Sequence, residues 1–123
     1  MACRSFFKAF VYAFRGIRWV SLTQRNMRIH IGLAVVVLAA AAWLRLSLLE
    51  TSVIILAIAL VTVAEIINSA VEKAVDLVTL EKHPVAGLAK DAAAGAVLLA
   101  AFFSVVIGLL IFVPHILELI KQH

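Results

Sequence analysis

Hydrophobic and polar positions divide the chain into an amphipathic lead and three apolar runs. Over residues 4–20, Phe6, Phe10, Ala13, Phe14 and Ile17 share one helical face, and Arg4, Lys8, Tyr12, Arg15 and Arg18 share the opposite one. That alternation predicts an amphipathic helix in the headgroup region of a membrane. Thr23-Gln24-Arg25-Asn26 reads as a turn, which makes residues 1–28 a basic surface segment. The first apolar run, 29–49, has an uninterrupted core from Ile31 to Leu44; Arg45 must snorkel, and Trp43 suits the interfacial aromatic belt. His30, at its near end, reads as an interfacial hydrogen-bonder. Ser47 to Ser52 is expected to be a short turn. A helix over 53–80 carries the second span, which leaves the hydrocarbon near Ala70 at 1.5 Å per residue. A helix over 90–113 carries the third: Ala92 to Val113 has no charge and is long enough to cross. Pro114 is expected to end it, leaving His115 to His123 as a tail.

The second run does not end cleanly. Glu65, Asn68, Glu72 and Asp76 fall within an arc of roughly 80° at 100° per residue, so one helix carries a single acidic stripe that begins in apolar sequence. Ionisable residues in or near lipid are costly and mark functional sites. Leu80 to Ala89 forms a connector, with His83-Pro84 as a helix stop and Gly87 as a flexible point. Lys90-Asp91 then precedes the third run, whose small first turns, Ala92 to Ala96, allow close helix approach.

Composition makes the membrane class firm. Of the 123 residues, 65% are hydrophobic and 15% charged, where a soluble domain is nearer one half and one quarter. The net charge of +4 does not indicate nucleic acid: Arg4, Lys8, Arg15, Arg18, Arg25 and Arg28 all precede the first span. A basic block there matches the positive-inside rule and anionic headgroups, and no zinc-ligand or RNA-binding signature accompanies it. Three spans then put the N-terminus and residues 65–91 on the cytoplasmic side and the C-terminus outside. Cys3, the only cysteine, reads as a bystander. Three short spans enclose four polar side chains poorly, so self-association is expected.

Carboxylates and an amide on one helical face admit three chemistries. They can hold Mg²⁺ together with phosphates. They can supply a general base, because removal from water favours the protonated form of a carboxylate. They can also relay protons or ions, or simply fix packing in an oligomeric scaffold. Lys90 suits phosphate oxygens better than it suits a relay. The chain contains neither a Walker-A sequence nor the glycine loop of soluble kinases.

AEIINSAVEKAVDLV followed by LEKHPVAGLAKDAAAGAVL resembles the small integral-membrane lipid kinases of bacteria, the prokaryotic diacylglycerol kinase and undecaprenol kinase family. The resemblance covers nearly the whole chain. It implies an all-α membrane protein with an N-terminal amphipathic surface helix and three transmembrane helices, assembled as a homotrimer with sites shared between subunits. It also implies an enzyme of the bacterial inner membrane that serves lipid metabolism, with MgATP as phosphoryl donor and a lipid hydroxyl as acceptor. By position, Glu65 matches the general base and Asn68 the residue that orients it or the phosphate. Glu72 matches a ligand of the magnesium on ATP. Tyr12, Asp76, Glu81, His83, Gly87, Lys90 and Asp91 match the ATP pocket.

Two positions depart from the family pattern. Gln24 stands where the diacylglycerol kinase branch has a metal-binding glutamate, leaving a neutral magnesium neighbour. Ser5 stands where better-known members have a basic residue, with Arg4 beside it. His-Pro in the connector and the AKDAAAGAVL wording resemble the undecaprenol kinase branch, which makes undecaprenol the expected acceptor, ahead of diacylglycerol.

Overall fold

In the computed structural model, residues 2–123 are described, with side chains from Ser5 onward; the sequence readings on the side chains of Cys3 and Arg4 lie outside the described residues. Four helices follow one another: α1 (Ala2–Thr23), α2 (Arg25–Trp43), α3 (Leu48–Val78) and α4 (Pro84–Lys121). The last three are long and apolar enough to cross a membrane, and α1 is the amphipathic surface helix.

Each junction has a local cause. Between α1 and α2 only Gln24 leaves helical geometry (φ −100°, ψ 117°), so the expected four-residue turn shrinks to one residue. The Gln24 N–H still donates to the Val20 carbonyl, and the Gln24 carbonyl accepts from Arg28 N–H, which nearly fuses the two helices. The first span ends at Trp43, earlier than the expected Leu49. There the Leu46 N–H donates to the Ala41 carbonyl and the Arg45 N–H to that of Ala42, the paired bonds of a Schellman motif. Arg45 takes the left-handed position of that motif with φ 55°, where glycine is the usual occupant.

α3 begins at Leu48, inside the expected Ser47–Ser52 turn, because Ser47 and Glu50 form a capping box: Ser47 Oγ accepts from Glu50 N–H at 3.1 Å, and Ser47 N–H donates to the Glu50 carboxylate at 3.2 Å. Reciprocal satisfaction of two orphan donors stabilises a helix start by about 1 kcal/mol. At the connector, His83-Pro84 starts a helix where the sequence suggested a stop. The Val85 N–H donates to His83 Nδ1 at 3.2 Å, and Pro84 occupies the first helical position, where its missing N–H costs nothing. Gly87 is consequently helical, its N–H donating to the His83 carbonyl; it is not a flexible point. Pro114 does not end the third span either, for α4 continues through it to Lys121. The unbroken helix over His115 to Lys121 replaces the expected tail.

α3 and α4 form the principal pair, with α2 packed less extensively against α3. On α3 the buried positions are Ile54, Ala57, Val61, Glu65, Asn68 and Ser69, spaced by three and four along one face. Small residues line the contact: Ala57, Ala100 on α4 and Ala41 on α2 are buried, and Ser104 Oγ donates to the Ala57 carbonyl at 3.3 Å. α1 is exposed along most of its length, Phe6, Phe10 and Phe14 included; it docks by its C-terminal end, where Val20 is buried and Lys73 of α3 lies 5.8 Å from the Trp19 ring centroid.

Candidate active site

The acidic stripe continues the buried face of α3. Ile54, Ala57 and Val61 lead in helical steps to Glu65, so the packing that seats those apolar side chains also buries a carboxylate. Glu65 is only 2% exposed. Its Oε2 has no hydrogen-bond partner, and neither does Oδ1 of the buried Asn68. A buried polar atom without a partner costs on the order of 1–3 kcal/mol, and this site retains two within one turn. Asn68 turns its amide nitrogen toward Glu72, Nδ2 to Oε1 at 3.4 Å. The Ser69 hydroxyl donates to the Glu65 carbonyl.

Two cavities meet at His30 and Ala101, and Glu65 lines one of them. A polar one of about 320 Å³ is bounded by Asn26, His30, Glu65 and Asn68, with Ala94 and Val97 of α4 opposite. A more apolar groove of about 310 Å³ lies between α2, α3 and α4, lined by side chains such as Leu33, Val37, Ile54, Val61 and Val105. His30 lines both, with its Nε2 3.7 Å from Glu65 Oε2. The sequence reading left His30 at the interface without a role; its position opposite Glu65 became visible only once α2 was laid against α3.

A second cluster lies toward the connector. Lys90 Nζ donates to Asp76 Oδ1 at 2.6 Å and ties the first turns of α4 to the last turns of α3. Glu81, His83, Gly87 and Lys90 border one open pocket of about 430 Å³. A methyl group added at Gly87 would meet no atom within 4 Å. Asp91 is exposed on the same helix as Lys90. Tyr12, 62% exposed on α1, lines neither pocket. Gln24 sits at the α1–α2 junction, half-buried, and its side chain does not cap α2.

The donor set admits magnesium in one form. Among the described residues there is no group of three His, Cys, Asp or Glu side chains able to hold a metal on its own. Magnesium usually takes one or two carboxylates and completes its shell with water and substrate phosphates. The half-buried Glu72, beside the unpartnered Asn68 Oδ1, fits that partial role.

Residues 11–112 match the family model described as prokaryotic diacylglycerol kinase. The chain is similar to undecaprenol kinase of Bacillus subtilis, with 46% identity over 111 residues that cover 90% of each protein. It is 42% identical to a diacylglycerol kinase of Synechocystis over 112 residues, 90% of this chain and 64% of that protein. A diacylglycerol kinase of Escherichia coli shares 33% identity over 111 residues, 88% of each. The matched stretch takes in every candidate site residue from Tyr12 to Asp91.

Proposed function

The chain belongs to the prokaryotic diacylglycerol kinase family and is a phosphotransferase acting on a lipid alcohol, and we propose that it carries the γ-phosphate of ATP to the primary hydroxyl of undecaprenol. The observation that carries this reading is the placement of Glu65. A carboxylate that is 2% exposed, with an unpartnered oxygen, lines a polar pocket that adjoins an apolar groove at His30. A lipid with its body in the groove presents its hydroxyl to that carboxylate. Family membership sets aside the ion-relay and scaffold alternatives.

In the proposed reaction Glu65 takes the hydroxyl proton as the lipid oxygen forms its bond to the γ-phosphorus and the bond to ADP breaks. Asn68 holds the reacting groups in register through its free carbonyl oxygen. Lys90, steadied by Asp76, meets phosphate oxygens, and Tyr12, Glu81, His83, Gly87 and Asp91 complete the nucleotide pocket. Glu72 would hold the magnesium that arrives with ATP, with Gln24 as a neutral neighbour. Bound there, the ion offsets charge on the phosphate oxygens, the main demand of phosphoryl transfer besides positioning.

The assembly proposed is a homotrimer in the bacterial inner membrane with the site on the cytoplasmic side. Six basic residues ahead of the first span support the orientation. The polar stripe that a single chain encloses only in part, with Glu72 and Asp76 half-buried, supports lateral association. Undecaprenol is favoured over diacylglycerol by the His83-Pro84 connector and the segment that follows it. The test is lipid-dependent ATP consumption in mixed micelles with Mg²⁺, each lipid offered separately and the product identified. Faster phosphorylation of undecaprenol is expected; preference for diacylglycerol would reverse the substrate assignment, and no product from either would reject the kinase reaction proposed.

A further inference from the structure

We infer that His30 is a positioning residue for Glu65, its ring holding one carboxylate oxygen so that the other faces the incoming lipid hydroxyl. The inference rests on the proposed kinase reading and adds to it a residue from a different helix. Three observations meet at this ring. His30 Nε2 lies 3.7 Å from Glu65 Oε2; that oxygen is buried and has no hydrogen-bond partner; and His30 borders both the apolar groove and the polar pocket.

The surroundings leave His30 as the residue placed for the task. The α4 side of the polar pocket is Ala94, Val97, Leu98 and Ala101, none of which donates a side-chain hydrogen bond. On α3, the Asn68 amide nitrogen is directed to Glu72 and makes no hydrogen bond to Glu65 Oε2, and Ser69 donates to the Glu65 backbone carbonyl. Asn26 also lines the pocket, but it is exposed and has no contact with the carboxylate among the side-chain hydrogen bonds described. A separation of 3.7 Å is too long for a hydrogen bond. Catalytic hydrogen bonds are often long before substrate binds and tighten in the complex.

With a neutral ring donating from Nε2 to Glu65 Oε2, Oε1 is left for a lipid hydroxyl that reaches the pocket Glu65 lines. The hydroxyl proton then passes to Oε1, the lipid oxygen bonds to phosphorus, and ADP departs with the electrons of the broken P–O bond. His30 neither gains nor loses a proton in this step. Its contribution is orientation of the base, an effect realised in kcat.

The test compares wild type with His30→Leu, which keeps bulk and removes the donor, and His30→Gln, which restores a donor. Turnover per folded oligomer and KM for MgATP are measured with both lipids, and the Glu65 carboxyl band is followed by infrared difference against Glu65→Gln. His30→Leu is expected to lower kcat roughly ten- to a hundredfold, as misorientation of a catalytic group does, with KM for MgATP nearly unchanged. His30→Gln should recover much of that loss, and the carboxyl band should shift in His30→Leu. Unchanged kcat in His30→Leu, equal losses in both variants, or a loss confined to KM would overturn the inference. If wild type turned over neither lipid, the kinase reading would fall by itself. The infrared band would then decide the pairing alone: a shift upholds it and a fixed band overturns it.

Discussion

Glu65 and Asn68 sit one helical turn apart, and each keeps an oxygen that no protein group satisfies. Stability alone would favour filling or removing such atoms; on the proposed reading, substrate groups satisfy Asn68 Oδ1, and His30 closes on Glu65 Oε2 in the complex. Glu65→Gln should preserve helix content and oligomer size while lowering lipid phosphorylation by about 10²- to 10⁴-fold, the usual contribution of a general base, measured as phosphorylated lipid per oligomer. Arg45 offers a residue-scale prediction of the opposite sign. Its φ of 55° is a conformation in which a β-carbon is strained, so Arg45→Gly should stabilise the fold by roughly 1 kcal/mol in detergent unfolding. The stripe from Glu65 to Asp76 was legible in the sequence because its spacing repeats the helical period. His30 was not, since a lone histidine at a span end carries no sign of a partner on another helix.

At the scale of elements, the number of helices and their order followed from the apolar runs, but their ends did not. Helix ends depend on caps, and a cap can be read in two directions. Pro84 ends a helix if the chain before it is helical and begins one if it is not; with α3 already closed at Val78, it begins α4. Pro114 was read as a stop because an interior proline loses one backbone bond, yet the apolar periodicity on both sides carries α4 past it. That extension brings His115 Nε2 to 2.8 Å from Glu50 Oε2. The hydrogen bond from His115, followed by those from the Ser47 backbone and side chain, holds the Glu50 carboxyl below the usual carboxylate range. A carboxyl lowered by folding stabilises the fold above its unfolded pKa, and the contribution is lost as pH falls through the lowered value. Acidification below about pH 5 should therefore reduce the thermal midpoint, and His115→Ala should make that dependence shallower while leaving lipid phosphorylation at neutral pH unchanged.

At the scale of the whole molecule, one protomer brings Glu65, Asn68 and Glu72 together and pairs Asp76 with Lys90, while Tyr12 stays exposed on α1. In the homotrimer proposed above, a site completed by neighbours would account for that division. If base and nucleotide residues act across a subunit boundary, inactive Glu65→Gln and inactive Lys90→Ala subunits mixed in equal amounts should regain about one quarter of wild-type activity, because that share of adjacent pairs unites both intact halves. Activity that stays at background after subunit exchange would place each site within a single chain. Sequence alone could not have settled this, since the periodicity of a helix shows which residues share a face and not whose face they meet.

The stretch of α3 from Glu50 to Asp76 equals, within one residue, the stretch of α4 from Lys90 to His115. The hairpin is thereby latched at both rims, by Glu50–His115 at one and Asp76–Lys90 at the other. A long-chain alcohol cannot part these two helices without breaking a latch. For the lipid substrate proposed, the door would then be the α2 seam, whose described polar link to α3 is the 3.7 Å approach of His30 to Glu65. A covalent tether between α3 and α4 should leave turnover intact, and one between α2 and α3 should stop it, so that the residue orienting the base rides on the helix that admits the substrate.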